Sequence, residues 1–271
     1  MDILKKAALA FQKISDVNYE FVSSTGRKLV ITSISVNKGD FTHIVGLDHL
    51  TDIWQLVSHN TKTKESVFRK ILADKITYEY LSKNSANLLK KIPGTLNPYS
   101  QNEYTIADRI SKVGNIDALM DSAYLGKIYK WNPNKCNVIM PNGKKRLVSI
   151  KADYLLKVPL NKDPVEYMYL FTYQENKTAS QTEPIKLSIF SAFADGIDLT
   201  VGQEKPYTIL EEKKINIKTK EEELLFRHPN YTPENDSFKS TLKEVSDWAE
   251  KVIEILDVPE QEQTWKDIYS R

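Results

Sequence analysis

The hydrophobic periodicity of this chain changes near Lys127, and that change constrains the fold more than any other feature of the sequence. Before Lys127, apolar side chains mostly recur at the spacing of three and four residues that is typical of amphipathic helices. From Lys127 onward, apolar and polar residues alternate, and β-branched and aromatic types are frequent, as in half-buried strands. Helices first and strands second indicate the α+β class, with N-terminal helices packed on a C-terminal antiparallel β-sheet.

The first half is predicted to hold one hairpin among several helices. The apolar spacing from Ile3 to Ile14 predicts an opening helix, and two β-rich runs around the turn S-S-T-G predict a hairpin that ends near Val36. Thr77 and Asn115 are suited to cap further helices. Short helices are expected over 66–75, 77–89, 105–113 and 115–122.

Strands in the second half are joined by short turn-like links, which predicts an antiparallel meander. They are expected over 127–131, 136–140, 146–158, 166–173, 185–193 and 207–218. Residues 1–230 are therefore interpreted as one α+β domain, with a leading helix over 1–17, a helical part over 18–126 and the sheet over 127–218. Residues 231–271 are interpreted as an appendage with a C-terminal amphipathic helix, because apolar residues recur at helical spacing from Leu242 to Leu256.

A longer helix is predicted over 41–57, and it carries a titratable side chain on its apolar face. At 100° per residue, His43, Leu47, Leu50 and Trp54 share one face, with Gly46 beside them. Two interpretations stay open. His43 is either a hydrogen-bonded core residue, or Gly46 leaves the space through which His43 reaches a cleft.

Composition excludes several classes of protein. The chain has 271 residues, of which 41% are hydrophobic and 27% charged, as is usual for a globular protein. It has neither an apolar run long enough to span a membrane nor a secretory signal, so we expect a cytoplasmic protein without a membrane partner. The single cysteine, Cys136, and four scattered histidines lack metal-ligand spacing, so we expect neither a metal nor a cofactor.

Positive charge is concentrated between Lys127 and Lys157, where the only acidic residue is Asp153. Lys144, Lys145 and Arg146 lie in a turn at the centre of this stretch. Such a patch suits a phosphate backbone, and a solvated strand face with a Lys-rich turn accounts for it equally well.

Several segments carry a family resemblance by their shared order along the chain. They include F-T-H-I-V-G-L from residue 41, A-D-R-I from residue 107, I-K-A-D-Y-L-L from residue 150 and S-I-F-S-A-F from residue 188. Over roughly residues 18–217 the chain resembles the PBECR4 group of phage-associated nuclease-like domains. The name groups them with the Barnase, EndoU, colicin E5/D and RelE nucleases, which are metal-independent RNases with helices packed on an antiparallel sheet. The resemblance implies an RNA-cleaving toxin or a defence-related nuclease of phages or other mobile elements.

The resemblance also implies roles for individual residues. The helix histidine of the family corresponds to His43 and its Arg to Arg109. Its strand serine corresponds to Ser188 or Ser191, because S-I-F-S-A-F allows two placements. The Gln and Thr of the next segment correspond to Gln203 and Thr208.

Metal-independent RNA cleavage needs a base for the ribose 2′-OH, an acid for the leaving 5′-oxygen and donors for the phosphate. An imidazole suits proton transfer at neutral pH, which favours His43. Arg109 and Lys151 are expected to supply cations, and Tyr154, Trp131 or Tyr169 to stack a base. Ser188, Ser191 and Thr208 are expected to donate hydrogen bonds. Three of these residues also have a structural explanation. Arg109 can form an ion pair with Asp108 or Asp117, Lys151 can be a solvated strand residue, and Tyr154 can be a core residue.

No second histidine is clearly placed to complete an acid and base pair, since His49 lies about 120° from the apolar stripe of the predicted helix. Two functions therefore stay open. The first is an endoribonuclease whose partners are RNA and, where one exists, an antitoxin. The second is a non-catalytic protein that binds a host protein or nucleic acid through the same scaffold. A third, ADP-ribose transfer, has no supporting nucleotide motif.

Overall fold

The computed structural model describes residues 1–25, 28–56, 60–90, 105–136, 150–162, 165–177, 183–195 and 198–233. The predicted C-terminal helix and most of the strand predicted over 136–140 lie outside these ranges. The α-helices are α1 (Ile3–Ser15), α2 (Phe41–Ile44), α3 (Thr61–Leu72), α4 (Tyr78–Asn84), α5 (Ile106–Val113) and α6 (Ile116–Met120). No helix in the described ranges is long and apolar enough to cross a membrane.

Helix starts follow from the capping residues. Asp2 accepts a hydrogen bond from Lys5 N at the start of α1, and Thr77 accepts one from Tyr80 N at the start of α4. Thr105 and Asp108 form a reciprocal capping box at the start of α5. The helix predictions in these segments are confirmed, with shifted ends.

Strands come in chain order as one hairpin before the helices and a longer series after them. They are β1 (Val17–Thr25), β2 (Lys28–Val36), β3 (Lys127–Lys130), β4 (Tyr154–Lys162), β5 (Val165–Gln174), β6 (Ile185–Asp195), β7 (Tyr207–Asn216) and β8 (Glu222–Arg227). The sequence did not predict β8, which pairs antiparallel with β7.

The prediction of helices on an open antiparallel sheet is wrong, because seven strands close into a barrel in the order β1-β2-β6-β5-β4-β3-β7, with β7 paired back to β1. The expected meander is present from β3 to β6, but β2 runs parallel to β6. The hairpin of β1 and β2 joins β6, at one end of that meander, to β7, which pairs with β3 at the other end. An open sheet would leave the backbone groups of β6 and β7 unpaired, and closure satisfies them.

One hydrophobic core joins the helices to one face of every strand of the barrel. The strands contribute Tyr19, Phe21, Ile34, Ile128, Leu156, Leu170, Ile189 and Ile209 to it. A second cluster lies on the opposite face of β3 to β6 and is mostly aromatic, with Trp131, Tyr169, Phe171 and Phe193. We call the face that carries this second cluster the outer face.

The helix predicted over 41–57 is also wrong beyond its first turn. α2 ends at Ile44, and Gly46 takes a left-handed conformation with φ +80°. A 3₁₀ turn over Leu47–His49 and successive backbone bonds between residues three apart follow it. The buried residues Leu47, Leu50, Ile53 and Leu56 recur at a period of three, which suits such turns better than an α-helix. Trp54, predicted on the apolar face, is 80% exposed.

Candidate active site at the Gly46 turn

The turn after α2 brings a histidine and a carboxylate into contact. His43 Nδ1 lies 2.6 Å from Asp48 Oδ2, and the His43 side chain is 41% exposed. Because a carboxylate accepts hydrogen bonds, Nδ1 carries the proton in this contact, and Nε2 is the nitrogen left for exchange with another molecule. His43 is therefore neither a fully buried core residue nor a free surface residue.

The same turn makes room for Arg109 of α5. A Cβ atom at Gly46 would lie 3.4 Å from both Cδ and Nη1 of Arg109, so the guanidinium side chain packs across the glycine. The space beside Gly46, expected to give His43 access to a cleft, is filled in part by Arg109. The positive φ is therefore what favours glycine at this position, since a Cβ would meet Arg109 at ordinary contact distance.

Arg109 is held by its helix and is not neutralised by the acids that could have paired with it. Asp108 is engaged in the capping box of α5, and Asp117 forms an ion pair with Lys13. The Nε atom of Arg109 is buried and has no hydrogen-bond partner among the described residues. Burial lowers the pKa of this guanidinium, and the charge of Asp48 opposes that effect. An arginine stays protonated under such a shift, so this site contains a cation whose Nε–H has no hydrogen-bond acceptor among the described residues.

Asp48 is charged and only half satisfied. Burial alone would raise its pKa, but the hydrogen bond to His43 and the charges of His43 and His49 outweigh burial and lower it. Its second oxygen, Oδ1, is buried without a hydrogen-bond partner among the described residues, and His49 Nε2 lies 4.0 Å from it. Two histidines therefore flank one carboxylate.

His49 is the residue that sequence reasoning placed at the surface, away from the apolar stripe. Its side chain is 42% exposed, but the turn at Gly46 swings it back to Asp48. Burial lowers the pKa of His49; Asp48 acts in the opposite direction, and the charges of Arg109 and His43 add to the lowering. Asp48 and His49 were missed because a continuous helix from 41 to 57 would have separated them from His43.

The two candidate serines lie on another surface of the barrel. Ser188 pairs with Tyr173 and Ser191 with Phe171 in the register of β6 on β5. A bulge in this pairing at Phe190 puts both serines on the outer face, although they are three residues apart. No hydrogen bond among the described residues joins either serine to His43 or Arg109. Their roles stay predictions.

The remaining candidates are spread along the barrel. Tyr154 is 6% exposed and lies in the core shared with the helices, where burial raises its pKa. Lys151 is exposed and precedes β4 instead of lying on a strand. Gln203 Nε2 donates to the backbone oxygen of Asn132, and its Oε1 accepts from Asn132 N, both at 2.9 Å. Thr208 is exposed on β7, where it pairs with Ser24 and Lys127 at the seam of the barrel.

The basic turn of Lys144, Lys145 and Arg146 lies outside the described residues. Within the described ranges, no group of three or more His, Cys, Asp or Glu side chains is arranged to hold a metal ion. Of the predicted site residues in the described ranges, His43 and Arg109 both lie at the Gly46 turn.

The four side chains at the Gly46 turn provide two kinds of chemistry. An imidazole oriented by a carboxylate can give or take a proton at its free nitrogen. A guanidinium with an unused donor can bind an oxyanion such as a phosphate. Together they suit proton transfer on a phosphate ester.

Comparison with known proteins identifies the family of this chain. The family described as phage-Barnase-EndoU-ColicinE5/D-RelE like nuclease4, PBECR4, matches residues 3–227. The match is wider than the resemblance over 18–217, since it includes α1 and β8. No match was found among curated proteins or among solved structures.

Proposed function

The chain belongs to the PBECR4 family of phage BECR-type nucleases, and from that premise we propose that it is a metal-independent endoribonuclease whose active site is the Gly46 turn. The observation that carries the proposal is the pairing of His43 with Asp48 beside Arg109. The family supports cleavage of a nucleic acid. The choice of RNA and of a metal-free reaction rests on the side chains at the turn.

RNA contains its own nucleophile, the ribose 2′-OH. Its attack on the neighbouring phosphate requires a proton acceptor, a proton donor and a cation where negative charge develops. Titratable imidazole and guanidinium groups at the Gly46 turn meet these needs with protein side chains. DNA lacks the 2′-OH, so this chemistry predicts cleavage of RNA and not of DNA.

A direct test is incubation of the purified protein with total bacterial RNA in EDTA. We expect fragments that end in 2′,3′-cyclic phosphate, and loss of these fragments in His43→Ala. His228→Ala is a matched control, because His228 follows β8 and its backbone N–H bonds to Leu210 of β7. Intact RNA with a folded protein at every protein concentration would contradict the proposal and favour the non-catalytic binding function.

The biological role that we propose is that of a toxin or defence nuclease acting inside a bacterial cell. The phage association of the family supports it. Induced expression in a bacterium is expected to stop growth with the native chain and not with His43→Ala. Copurification of a second protein that restores growth would identify an antitoxin. Continued growth with the active enzyme at high level would contradict the toxin role.

A further inference from the structure

We infer that His49 is the base and His43 the acid of the cleavage reaction, with Asp48 between them as the positioning residue. This inference rests on the proposed function, and it assigns roles within the same site. It also supplies the second proton-transfer group that sequence reasoning left unplaced.

The hydrogen bond to Asp48 fixes the role of His43. The Nδ1 atom is held at 2.6 Å from Asp48 Oδ2, so proton exchange with substrate is confined to Nε2. Asp48 is ionised at neutral pH, because the pKa of its carboxyl lies below the usual value. A carboxylate that accepts from Nδ1 holds the ring in one orientation and leaves Nε2 to donate a proton to the leaving oxygen. That donation is the role of the acid.

The surroundings of His49 favour the opposite role. Partial burial lowers the pKa of His49, and the positive charges of Arg109 and His43 add to this effect. Asp48 opposes this, but at 4.0 Å from Nε2 it is beyond hydrogen-bond distance. Among the described residues, the charged and titratable groups that act on His49 are Asp48, Arg109 and His43. A neutral imidazole with an unprotonated nitrogen is a base.

The backbone explains why both rings reach one carboxylate. The left-handed conformation at Gly46 ends α2 after His43, and the 3₁₀ turn over Leu47–His49 then reverses the chain. His43 therefore contacts Oδ2 of Asp48, and His49 approaches Oδ1. Groups on either side of one anchor are suited to act on the entering and the leaving oxygen of the same phosphate.

The proposed step balances without another reactant. His49 takes the proton of the 2′-OH, and an electron pair of the 2′-oxygen forms the new bond to phosphorus. The bond from phosphorus to the 5′-oxygen breaks, and that oxygen takes the proton from Nε2 of His43. The products are a 2′,3′-cyclic phosphate and a 5′-hydroxyl. Exchange with water then returns His49 to its neutral form and His43 to its charged form.

An RNA oligonucleotide with a sulfur in place of the bridging 5′-oxygen at the cleaved bond separates the two roles. A thiolate leaves without protonation, so loss of an acid matters little for this substrate, whereas loss of a base matters fully. For native RNA we expect both His43→Gln and His49→Gln to slow single-turnover cleavage by roughly 10²–10⁴-fold. With the sulfur substrate, His43→Gln is expected to recover to within about tenfold of the native enzyme, and His49→Gln to stay slow.

Asp48→Asn tests the positioning role with the same substrate. If Asp48 acts through the acid, Asp48→Asn slows cleavage of native RNA, and most of the lost rate returns with the sulfur substrate. If Asp48 had only a structural role, Asp48→Asn would slow cleavage of both substrates equally. Recovery of His49→Gln instead of His43→Gln would reverse the assignment and overturn the inference.

The outcomes also separate this inference from the proposed function. A native enzyme that cleaves RNA while His49→Gln cleaves at the native rate contradicts the base assignment and leaves the nuclease function standing. A native enzyme that cleaves neither substrate contradicts the nuclease function itself. Circular dichroism and thermal unfolding of each variant identify any change that follows from loss of the fold.

Discussion

His43 Nδ1 and Asp48 Oδ2 lie 2.6 Å apart across a turn that a glycine creates. This contact predicts that Asp48→Asn slows RNA cleavage strongly, by roughly 10²–10⁴-fold, because the amide does not fix the ring or stabilise its charge as a carboxylate does. Single-turnover rates measure the effect.

Asp52→Asn is the matched control for this prediction. The Asp52 carboxylate accepts hydrogen bonds from Ser85 Oγ and Ala86 N, both at 2.8 Å, and so ties the turn to the end of α4. We expect this variant to lower the free energy of unfolding by about 1 kcal/mol and to keep its cleavage rate. Equal losses of activity in the two variants would contradict a specific role for Asp48.

Arg109→Met is expected to abolish cleavage and to raise the thermal midpoint. The guanidinium is partly buried, and its Nε has no hydrogen-bond partner among the described residues, so the folded state carries a desolvation cost of about 1–3 kcal/mol that methionine removes. Thermal unfolding and cleavage assays on the same preparation measure both effects. Arg69→Met, on the exposed side of α3, should change neither. A variant less stable than the native protein would contradict the cost assigned to Arg109.

Gly46→Ala is expected to lower both stability and activity. A φ of +80° disfavours any residue with a Cβ, by about 1 kcal/mol, and the new methyl group would lie 3.4 Å from Arg109. Gly202→Ala is the matched control, because Gly202 has a φ of +88° and lies in an exposed turn. Both variants should unfold at lower denaturant concentration, and only Gly46→Ala should lose cleavage. Full activity of Gly46→Ala would contradict the dependence of cleavage on the left-handed turn at Gly46.

The buried carboxyl of Glu212 is expected to make the free energy of unfolding depend on pH. Its side chain on β7 is fully buried, with Oε2 accepting from Tyr124 N at 2.7 Å and Oε1 without a hydrogen-bond partner in the described ranges. Burial raises the pKa of this carboxyl to about 8, an effect that the Tyr124 hydrogen bond and Lys214 oppose and Asp121 increases. The folded state therefore holds a proton that the unfolded chain releases above its own pKa, near 4.5.

Because the folded pKa is the higher one, the contribution of Glu212 to stability is complete below about pH 4.5 and is lost as pH rises toward about 8. Between those values the free energy of unfolding is expected to fall by at most about 1.4 kcal/mol per pH unit on account of this group. Urea unfolding at several pH values should show that slope in the native protein and in Glu79→Gln, whose side chain is exposed on α4. The slope should be smaller in Glu212→Gln. An identical slope in Glu212→Gln would contradict the protonated state of Glu212.

The sequence predicted the parts of this structure that depend on local patterns. Thr77 caps α4 as expected, and the alternating runs from β3 to β7 form strands, because capping and periodicity are properties of neighbouring residues. Asn115 lies at the start of α6 as expected, but its side chain makes no capping hydrogen bond. Closure of the barrel was not predicted. It depends on pairing of β1 with β7 and β2 with β6 across most of the chain, and no local pattern specifies such partners.

The site was predicted in part for the same reason. His43 and Arg109 were identified by resemblance, whereas Asp48 and His49 were missed because the stretch was interpreted as one helix. Two local signals were available: a glycine followed by apolar residues at a strict period of three, and an adjacent acid and histidine after it. A glycine that takes a left-handed conformation ends a helix, and the phase of every later side chain then changes.

If the Gly46 turn cleaves RNA through the ribose 2′-OH, an RNA that lacks this hydroxyl at the cleaved position resists cleavage there. The most direct measurement compares an RNA oligonucleotide with a known cleavage position and the same oligonucleotide carrying a single 2′-deoxy nucleotide there, both in EDTA. We expect the native protein to cleave the first at that position and to leave the second intact there, and we expect His43→Ala to cleave neither. Cleavage of the 2′-deoxy position by the native protein would contradict cleavage through the 2′-OH.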